Sequence, residues 1–162
     1  MSRAQTAIEY LTSYGWMILI VVVVITALFA FGIFNPSSHV SNSCTMPASF
    51  SCQGISLAQN GGLYINLTQN TGDPINITAI SCDATQSTRN AEVLTPPVYL
   101  GSGDNASFVM QCYTNSSTFS GTYGSVYHGY LIVNYTDLVS SFQYTSVGVV
   151  VAKVSANSIA VP

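Results

Sequence analysis

The sequence YLTSYGWMILIVVVVITALFAFGIF, residues 10–34, contains no charged residue and has ten consecutive apolar residues from Trp16 to Ile25. As an α-helix this segment would be about 38 Å long at ~1.5 Å per residue, which exceeds the ~30 Å hydrocarbon core of a bilayer. It has no polar stripe, so lipid or other apolar helices must surround it. A β-strand is disfavoured because lipid offers no partner for its backbone groups. Pro36 predicts that the helix ends near Asn35.

The residues before this segment carry one cation and one anion, Arg3 and Glu9. A secretory signal peptide would have an apolar run of about 7–15 residues and no acid at its front edge. A signal anchor fits better, and Arg3 favours a cytoplasmic N-terminus for it.

The residues RAQTAIEYL, positions 3–11, together with the apolar helix resemble the class III signal peptide of archaeal type IV pilins. The resemblance covers about the first 34 residues. It implies that a prepilin peptidase cleaves between Ala4 and Gln5, after the basic residue Arg3. It also implies that Glu9, fifth in the mature chain, pairs with the new amine of Gln5 in a neighbouring subunit. The alternative for Glu9 is a carboxylate at the membrane interface, stabilised by the N-terminal end of the helix dipole.

The remainder of the chain has a different composition, because Ser, Thr and Asn supply 43 of the 128 residues from 35 to 162 and only seven are charged. Turn-forming residues over 36–43 predict a neck linker. After it, runs of β-forming residues alternate with Gly, Asn, Asp and Pro clusters. These runs are Leu63–Leu67, Ile75–Cys82, Ala106–Tyr113, Tyr127–Tyr135 and Gln143–Val154. Since no helical period is present, the pattern predicts an antiparallel, Ig-like β-sandwich of about seven strands over residues 44–162.

All four cysteines, Cys44, Cys52, Cys82 and Cys112, follow the helix. An even number of cysteines without a C-x-x-C motif favours two disulfides over a zinc or thioredoxin-type site. The sequence leaves three connectivities open, of which we favour Cys44–Cys52 at the neck with Cys82–Cys112 between strands. Four free, buried thiols are the alternative.

Five N-glycosylation sequons also follow the helix, and none lies inside it. The acceptor candidates are Asn66, Asn76, Asn105, Asn115 and Asn134. Such sequons arise by chance in a chain rich in Ser, Thr and Asn, but five together favour an exported glycoprotein. Asn105 and Asn115 are preferred because their surroundings are turn-like.

Composition argues against several classes of function. Three Lys and Arg residues and a net charge of −3 exclude an extended basic surface for nucleic acid. The two histidines, His39 and His128, are too few for a metal centre or an acid–base relay. Four aspartates beside turn-forming residues predict turns and not catalytic carboxylates: Asp73, Asp83, Asp104 and Asp137. We therefore expect no enzyme activity, no catalytic residue, no metal and no cofactor.

These observations predict an α+β protein, a long N-terminal hydrophobic helix followed by an antiparallel β-sandwich. The expected organisation is a leader peptide (1–4), a helix (5–35) that spans the membrane before assembly and forms the filament core afterwards, a neck (36–43) and an extracellular domain (44–162). By the resemblance, the chain is expected to be a structural subunit of an archaeal type IV pilus for adhesion or surface attachment. The pilus machinery would assemble it from a precursor in the cytoplasmic membrane into a surface filament of identical subunits. The alternatives are a single-span, membrane-anchored surface glycoprotein, an archaeal flagellum subunit and a minor pilin.

Overall fold

A computed structural model describes residues 2–34 and 40–161, and within residues 2–13 it describes the side chain of Thr12 alone. The chain divides into two compact units, Met1–His39 and Val40–Pro162. In the described residues, the first unit contains one helix, α1 (Ser2–Ala30), and the second contains nine strands. Residues 36–39 of the predicted neck, with His39 among them, lie outside the described residues.

Helix α1 ends at Ala30, earlier than the sequence predicts, because the chain forms a Schellman motif around Gly32. The amide of Gly32 donates to the carbonyl oxygen of Phe29 (3.0 Å), and the amide of Ile33 donates to that of Leu28 (3.3 Å). Gly32 has a φ of 67°, a left-handed conformation that glycine adopts without a steric penalty. A glycine, and not the proline that follows, therefore ends this helix.

No helix in the described part of the chain is long and apolar enough to cross a membrane. The membrane span predicted for residues 5–35 is therefore wrong. The apolar run continues to Phe34, but its last four residues form a turn. The apolar run of the sequence ends at Phe34, but the helix ends at Ala30 because Gly32 adopts a left-handed backbone conformation.

The second unit is built almost entirely of strands. They are β1 (Ser43–Thr45), β2 (Phe50–Ala58), β3 (Gly62–Gln69), β4 (Ile75–Asp83), β5 (Glu92–Leu100), β6 (Asn105–Thr114), β7 (Ser117–Thr118), β8 (Val126–Asp137) and β9 (Gln143–Ser155). Strands β3, β4, β6, β8 and β9 cover the five runs that the sequence predicts. The sequence does not predict the long strands β2 and β5. Ser and Gly interrupt the apolar residues of β2, and Pro96 and Pro97 argue against a strand at β5.

Six of these strands close into a barrel, in the order β4–β8–β9–β2–β3–β6 with β6 returning to β4. Four of the six pairings are antiparallel, and two short ones are parallel. Leu57–Ala58 of β2 lies beside Val154–Ser155 of β9, and Cys82–Asp83 of β4 lies beside Cys112–Tyr113 of β6. The predicted fold class, a long hydrophobic helix followed by an antiparallel, Ig-like sandwich, is therefore wrong. Each parallel closure involves so few residues that the hydrophobic period contains no sign of it.

At each closure one long strand changes its partner. Strand β9 pairs with β1 at Val149–Val151 before it reaches β2. Strand β4 pairs with β5 over Ile75–Ile80 before it reaches β6. Strands β1 and β5 therefore lie beside the barrel and continue one of its walls, while β7 extends β6.

Two disulfide bonds join strands of this unit, and the second lies at the β4–β6 closure. Cys44 of β1 is bonded to Cys52 of β2, with Cα atoms 5.9 Å apart. Cys82 of β4 is bonded to Cys112 of β6, with Cα atoms 4.6 Å apart. These are the two pairs that the sequence analysis favours, and none of the described cysteines is free.

The core fills the barrel with the inward-facing side chains of alternating strand positions. In β3, Leu63, Ile65 and Leu67 are fully buried while Tyr64 between them is exposed, so the predicted period of two is confirmed there. Strands β4 and β8 contribute most of the opposite wall, with Ile77 and Leu131 fully buried.

Candidate functional site

The described surface of α1 is apolar on every side. From Trp16 to Ile25 each side chain is between 44% and 68% exposed. The hydroxyl of Thr26 donates to the carbonyl oxygens of Val22 and Val23, both at 2.9 Å, so this polar group is satisfied inside the helix. From Trp16 to Ile25 the helix therefore presents no polar face by which one neighbour would be preferred over another.

The residues predicted to act in processing and assembly lie on the first turns of α1. Arg3, Ala4, Gln5 and Glu9 have helical backbone, but their side chains are outside the described part of the chain. The cleavage after Ala4 and the pairing of Glu9 therefore stay predictions.

The five sequon asparagines differ in accessibility. Asn105 and Asn115 are exposed, and Asn66, Asn76 and Asn134 are half-buried. Asn115 lies in the turn between β6 and β7 with a φ of 51°. Accessibility thus ranks the acceptors in the same order as the sequence does, while their modification stays a prediction.

Two sequons also lie directly opposite each other on neighbouring strands. Asn66 of β3 is opposite Ser107 of β6, and Thr68 is opposite Asn105. The Nδ2 atom of Asn66 donates to the hydroxyl of Ser107 at 3.3 Å. The two sequons therefore place polar residues opposite each other on β3 and β6, and the Asn66–Ser107 pair is hydrogen-bonded.

A second such pairing joins β4 and β8. Asn76 is opposite Thr136, and the Thr78 hydroxyl donates to the backbone carbonyl oxygen of Asn134 at 3.1 Å. The Oδ1 atom of Asn134 accepts a hydrogen bond from the Thr145 hydroxyl at 2.8 Å. The side chain of Asn134 is thus already engaged within the sheet.

Three of the four predicted turn aspartates accept hydrogen bonds within their own turns. Asp83 Oδ1 accepts from the amide and the hydroxyl of Thr85, both at 2.8 Å. Asp104 Oδ2 accepts from the amide of Gly101 at 2.8 Å. Asp137 Oδ1 accepts from two amides at the start of the next loop. The turn-forming role predicted for these three carboxylates is confirmed.

The loop that joins β8 to β9 combines this carboxylate with exposed apolar side chains. The backbone amides of Ser140 and Val139 both donate to Asp137 Oδ1 at 2.8 Å. These hydrogen bonds, with the larger effect from Ser140, lower the pKa of the carboxyl group. Val139 and Phe142 are both exposed. Asp137 therefore fixes the conformation of a loop that presents apolar groups to its surroundings.

Tyr127 is the one described group whose pKa is strongly raised. Burial raises the pKa of its phenol, and the carboxylate of Asp83 adds to the effect. The hydroxyl donates to the carbonyl oxygen of Tyr113 at 3.1 Å and lies 3.7 Å from Cys82 Sγ. Tyr127 thus stays protonated and supports the β4–β6 closure.

Neither histidine forms part of a reactive constellation in the described residues, since His128 is exposed on β8 and His39 is not described. Among the described residues, no three His, Cys, Asp or Glu side chains come together in a way that could hold a metal ion.

A cleft lies where β4 exchanges β5 for β6. We call it the β5–β6 cleft; it has a volume of about 540 Å³. Its polar lining residues are Asn90, Glu92, Gln111 and Tyr113. This cleft could not be predicted from the sequence, because it arises from a pairing between strands that no local pattern encodes.

The apolar wall of the β5–β6 cleft comes from both sides of the closure and from the C-terminal segment. Ile80 and Met110 are almost fully buried beneath it, and Val161 lines it from residues beyond β9. Val161 approaches closely because Gly62 has no side chain, and a Cβ there would lie 3.1 Å from Val161 Cγ2. A glycine that the sequence offers no reason to single out thus positions this wall.

No protein-family model matches the chain, and no curated protein matches it. The resemblance of the first residues to pilins therefore stays a prediction.

Proposed function

We propose that this chain is a structural subunit that polymerises through α1 into an extracellular filament of the archaeal type IV pilus kind. The observation that carries the proposal is the apolar surface from Trp16 to Ile25, which is exposed on every side of the helix. Exposed apolar patches of this extent mark interaction sites. The partners we propose are the same helices of further copies, because an apolar surface without a polar stripe is complementary to itself.

The size of the surface favours several neighbours over one. Burying a Val, Leu or Ile side chain completely stabilises by about 1.5–3 kcal/mol, and the side chains from Trp16 to Ile25 are about half exposed. Burying what remains exposed on these ten residues would contribute on the order of 10 kcal/mol. Association itself costs about 4–15 kcal/mol, so contact along one side of the helix is insufficient. Helices packed round the whole circumference, as in a filament core, would use all of this surface.

The barrel suits the exterior of such a filament. Two disulfides are typical of proteins that work in oxidising surroundings outside the cytoplasm. A surface rich in Ser, Thr and Asn, with seven charged residues after residue 35, allows neighbouring subunits to pack without strong repulsion of like charges.

The pilin resemblance adds the processing step to this proposal. A prepilin peptidase would remove residues 1–4, and Glu9 would pair with the amine of Gln5 in the next subunit. A carboxylate within an apolar core needs such a partner, because an unpaired buried charge costs several kcal/mol.

The test is a pair of substitutions in the middle of the apolar surface. Val22→Asp places an unpaired carboxylate in the proposed core, and we expect it to abolish filaments. Val22→Leu is the matched control at the same position and should leave filament yield unchanged. Electron microscopy of sheared surface material, normalised to the total amount of the protein, measures the yield.

Salt provides an independent measurement on the unmodified filament. At about 1 M NaCl the screening length is ~3 Å, yet filaments held by apolar contacts should stay intact. Full-length filaments from Val22→Asp, or dissolution of wild-type filaments by salt, would contradict the proposed core.

A further inference from the structure

We infer that the Cys44–Cys52 bond is a site of reversible thiol–disulfide exchange with small dithiols, and that its reduction releases the segment at the start of the barrel unit. That segment, residues 40–45, follows directly on the helix unit Met1–His39. The bond itself lies within the barrel unit, Val40–Pro162, so the inference does not depend on filament formation.

The two disulfide bonds differ in accessibility. Cys44 and Cys52 are half-buried, whereas Cys82 and Cys112 are fully buried in the core. Exchange requires a thiolate to reach a sulfur atom of the bond, so its rate depends on access. A dithiol in solution should therefore react with the first bond in the folded protein, and with the second only when the barrel opens.

The Cys44–Cys52 bond lines a cleft between β1 and β2. We call it the β1–β2 cleft; it has a volume of about 460 Å³. Its other lining residues are Asn42, Ser43, Gln53, Gly54 and Ile55. The volume lies within the ~300–1,000 Å³ range of ligand sites, so it has room for a small dithiol beside the disulfide.

A bulge and a glycine in β2 open this cleft. The register of β2 with β3 shifts between Cys52 and Gly54, which leaves Gln53 as an extra residue on β2. Gly54 has no side chain, and a Cβ placed there would meet no atom within 4 Å beyond its chain neighbours in the described structure. The space beside Gly54 is therefore open to solution.

The lining of the β1–β2 cleft suits an anionic reagent. The thiolate is the form of a thiol that attacks a disulfide. Among the described residues that line the cleft, none is an Asp or a Glu. A thiolate therefore approaches the disulfide without repulsion from a carboxylate in the lining.

The exchange is a two-electron reduction of the Cys44–Cys52 bond. One thiolate of the dithiol attacks a sulfur atom of the bond, forms a mixed disulfide and displaces the other cysteine as a thiolate, which takes up a proton. The second thiol of the dithiol loses its proton and attacks the reagent's sulfur in the mixed disulfide. This step displaces the remaining cysteine, which is protonated in turn. Both cysteines end as thiols, and the dithiol ends as a cyclic disulfide.

The contacts of β1 determine what the reduction changes. Strand β1 is three residues long and pairs with β9 at Val149–Val151. Asn42 Oδ1 accepts from the amide of Lys153 at 2.7 Å, and Asn42 Nδ2 donates to the carbonyl oxygen of Ile55 in β2 at 3.3 Å. The covalent bond is the strong link between β1 and β2, so its loss should allow residues 40–45 to open locally.

The experiment treats the folded, full-length protein with dithiothreitol, blocks the new thiols with N-ethylmaleimide and locates them by peptide mass spectrometry. The initial rate of labelling at Cys44 and Cys52 should exceed that at Cys82 and Cys112 at least about tenfold, because the buried pair reacts only from opened molecules. In protein reduced at the first bond, the amides of β1 should lose most of their protection from hydrogen exchange, while those of β4 and β8 stay protected.

Substitution of Gly54 tests whether the β1–β2 cleft is the route of the reagent. Gly54→Phe places a ring in the cleft, where there is room for a Cβ, and should slow the labelling of Cys44 and Cys52 several-fold. Gly54→Ala is the matched control, too small to block the cleft, and should react like the wild type. Circular dichroism shows whether each variant is folded, and the wild-type comparison of the two bonds stands without them.

Three results would each overturn the inference. The first is equal labelling rates of the two bonds in folded wild-type protein. The second is unchanged protection of β1 after reduction. The third is a folded Gly54→Phe variant that is reduced as fast as the wild type.

Discussion

The two disulfide bonds should differ in how much each contributes to the free energy of unfolding. Replacing both members of one pair by alanine removes the constraint on the unfolded chain, and the loss grows with the length of the closed loop. The Cys82–Cys112 loop spans 30 residues and the Cys44–Cys52 loop spans 8. The loop-entropy relation then gives losses of about 3.6 and about 2.5 kcal/mol at 25 °C.

Burial adds to this difference in the same direction. Cys82 and Cys112 are fully buried, so their sulfur atoms leave a cavity when removed, which costs further free energy. Cys44 and Cys52 are half-buried, and solvent can fill most of the space that they vacate. The figure of about 3.6 kcal/mol is therefore a lower limit on the stability lost when Cys82 and Cys112 are both replaced.

Amide hydrogen exchange of the full-length protein, followed by mass spectrometry, measures these losses in the core strands. Since about 1.4 kcal/mol corresponds to a factor of ten, the slowest amides of β4 and β8 should exchange about 400-fold faster without Cys82–Cys112. Without Cys44–Cys52 the factor should be about 60. Equal acceleration in the two double variants, or a larger effect of the shorter loop, would refute the reasoning.

Three further predictions concern single residues of the barrel. Gly61→Ala should destabilise strongly, because φ is +81° and a Cβ would overlap the carbonyl oxygen of Phe119. Gly72→Ala also has positive φ but no neighbour within 4 Å, so chemical denaturation of the two variants isolates the effect of this contact. Leu131→Ala should cost about 2–5 kcal/mol, because the side chain is fully buried; a loss below 1 kcal/mol in the same assay would show that the core is loosely packed. The pKa of Asp137 is lowered from 3.8 on folding, so its contribution to loop stability is complete above the unfolded pKa and is lost as the pH falls through the lower, folded pKa. Hydrogen exchange in the 138–142 loop should therefore accelerate at acidic pH beyond its intrinsic dependence, and an Asp137→Asn variant should not show that excess.

The apolar helix and the β5–β6 cleft have different physical origins. The helix surface arises from a run of adjacent residues, and its proposed partner is another copy of the same run. The cleft arises from residues brought together from β4, β5, β6 and the segment after β9.

Several features of the fold follow from the sequence because their causes are local. The unbroken apolar residues from Trp16 to Ile25 predict a helix, and the structure has one there. Period-two alternation predicts β3, and the dense apolar runs predict β8 and β9. The turn aspartates are also local, because a carboxylate bonds to amides two or three residues away.

The sequence predicts other features wrongly because two local signals compete. Pro36 and Gly32 both mark the end of a helix, and the predicted end near Asn35 rests on the proline. The structure shows that the Schellman motif at Gly32 ends it first. In β5, Pro96 and Pro97 argue against a strand, but pairing with β4 along Ile75–Ile80 still holds the segment extended.

The amino-acid sequence alone identifies the apolar segments, the alternating segments and the better candidates for cysteine pairing. The closed barrel, with β2 beside β9 and β4 beside β6, is visible only in the folded chain. Alternation tells which side of a strand faces the core, but it does not tell which strand lies next to it. The closing pairs involve two residues on each strand, too few to leave a pattern. The β5–β6 cleft exists only where such a pair forms, so its walls from β4, β5 and β6 come together through the fold and not through their place in the sequence.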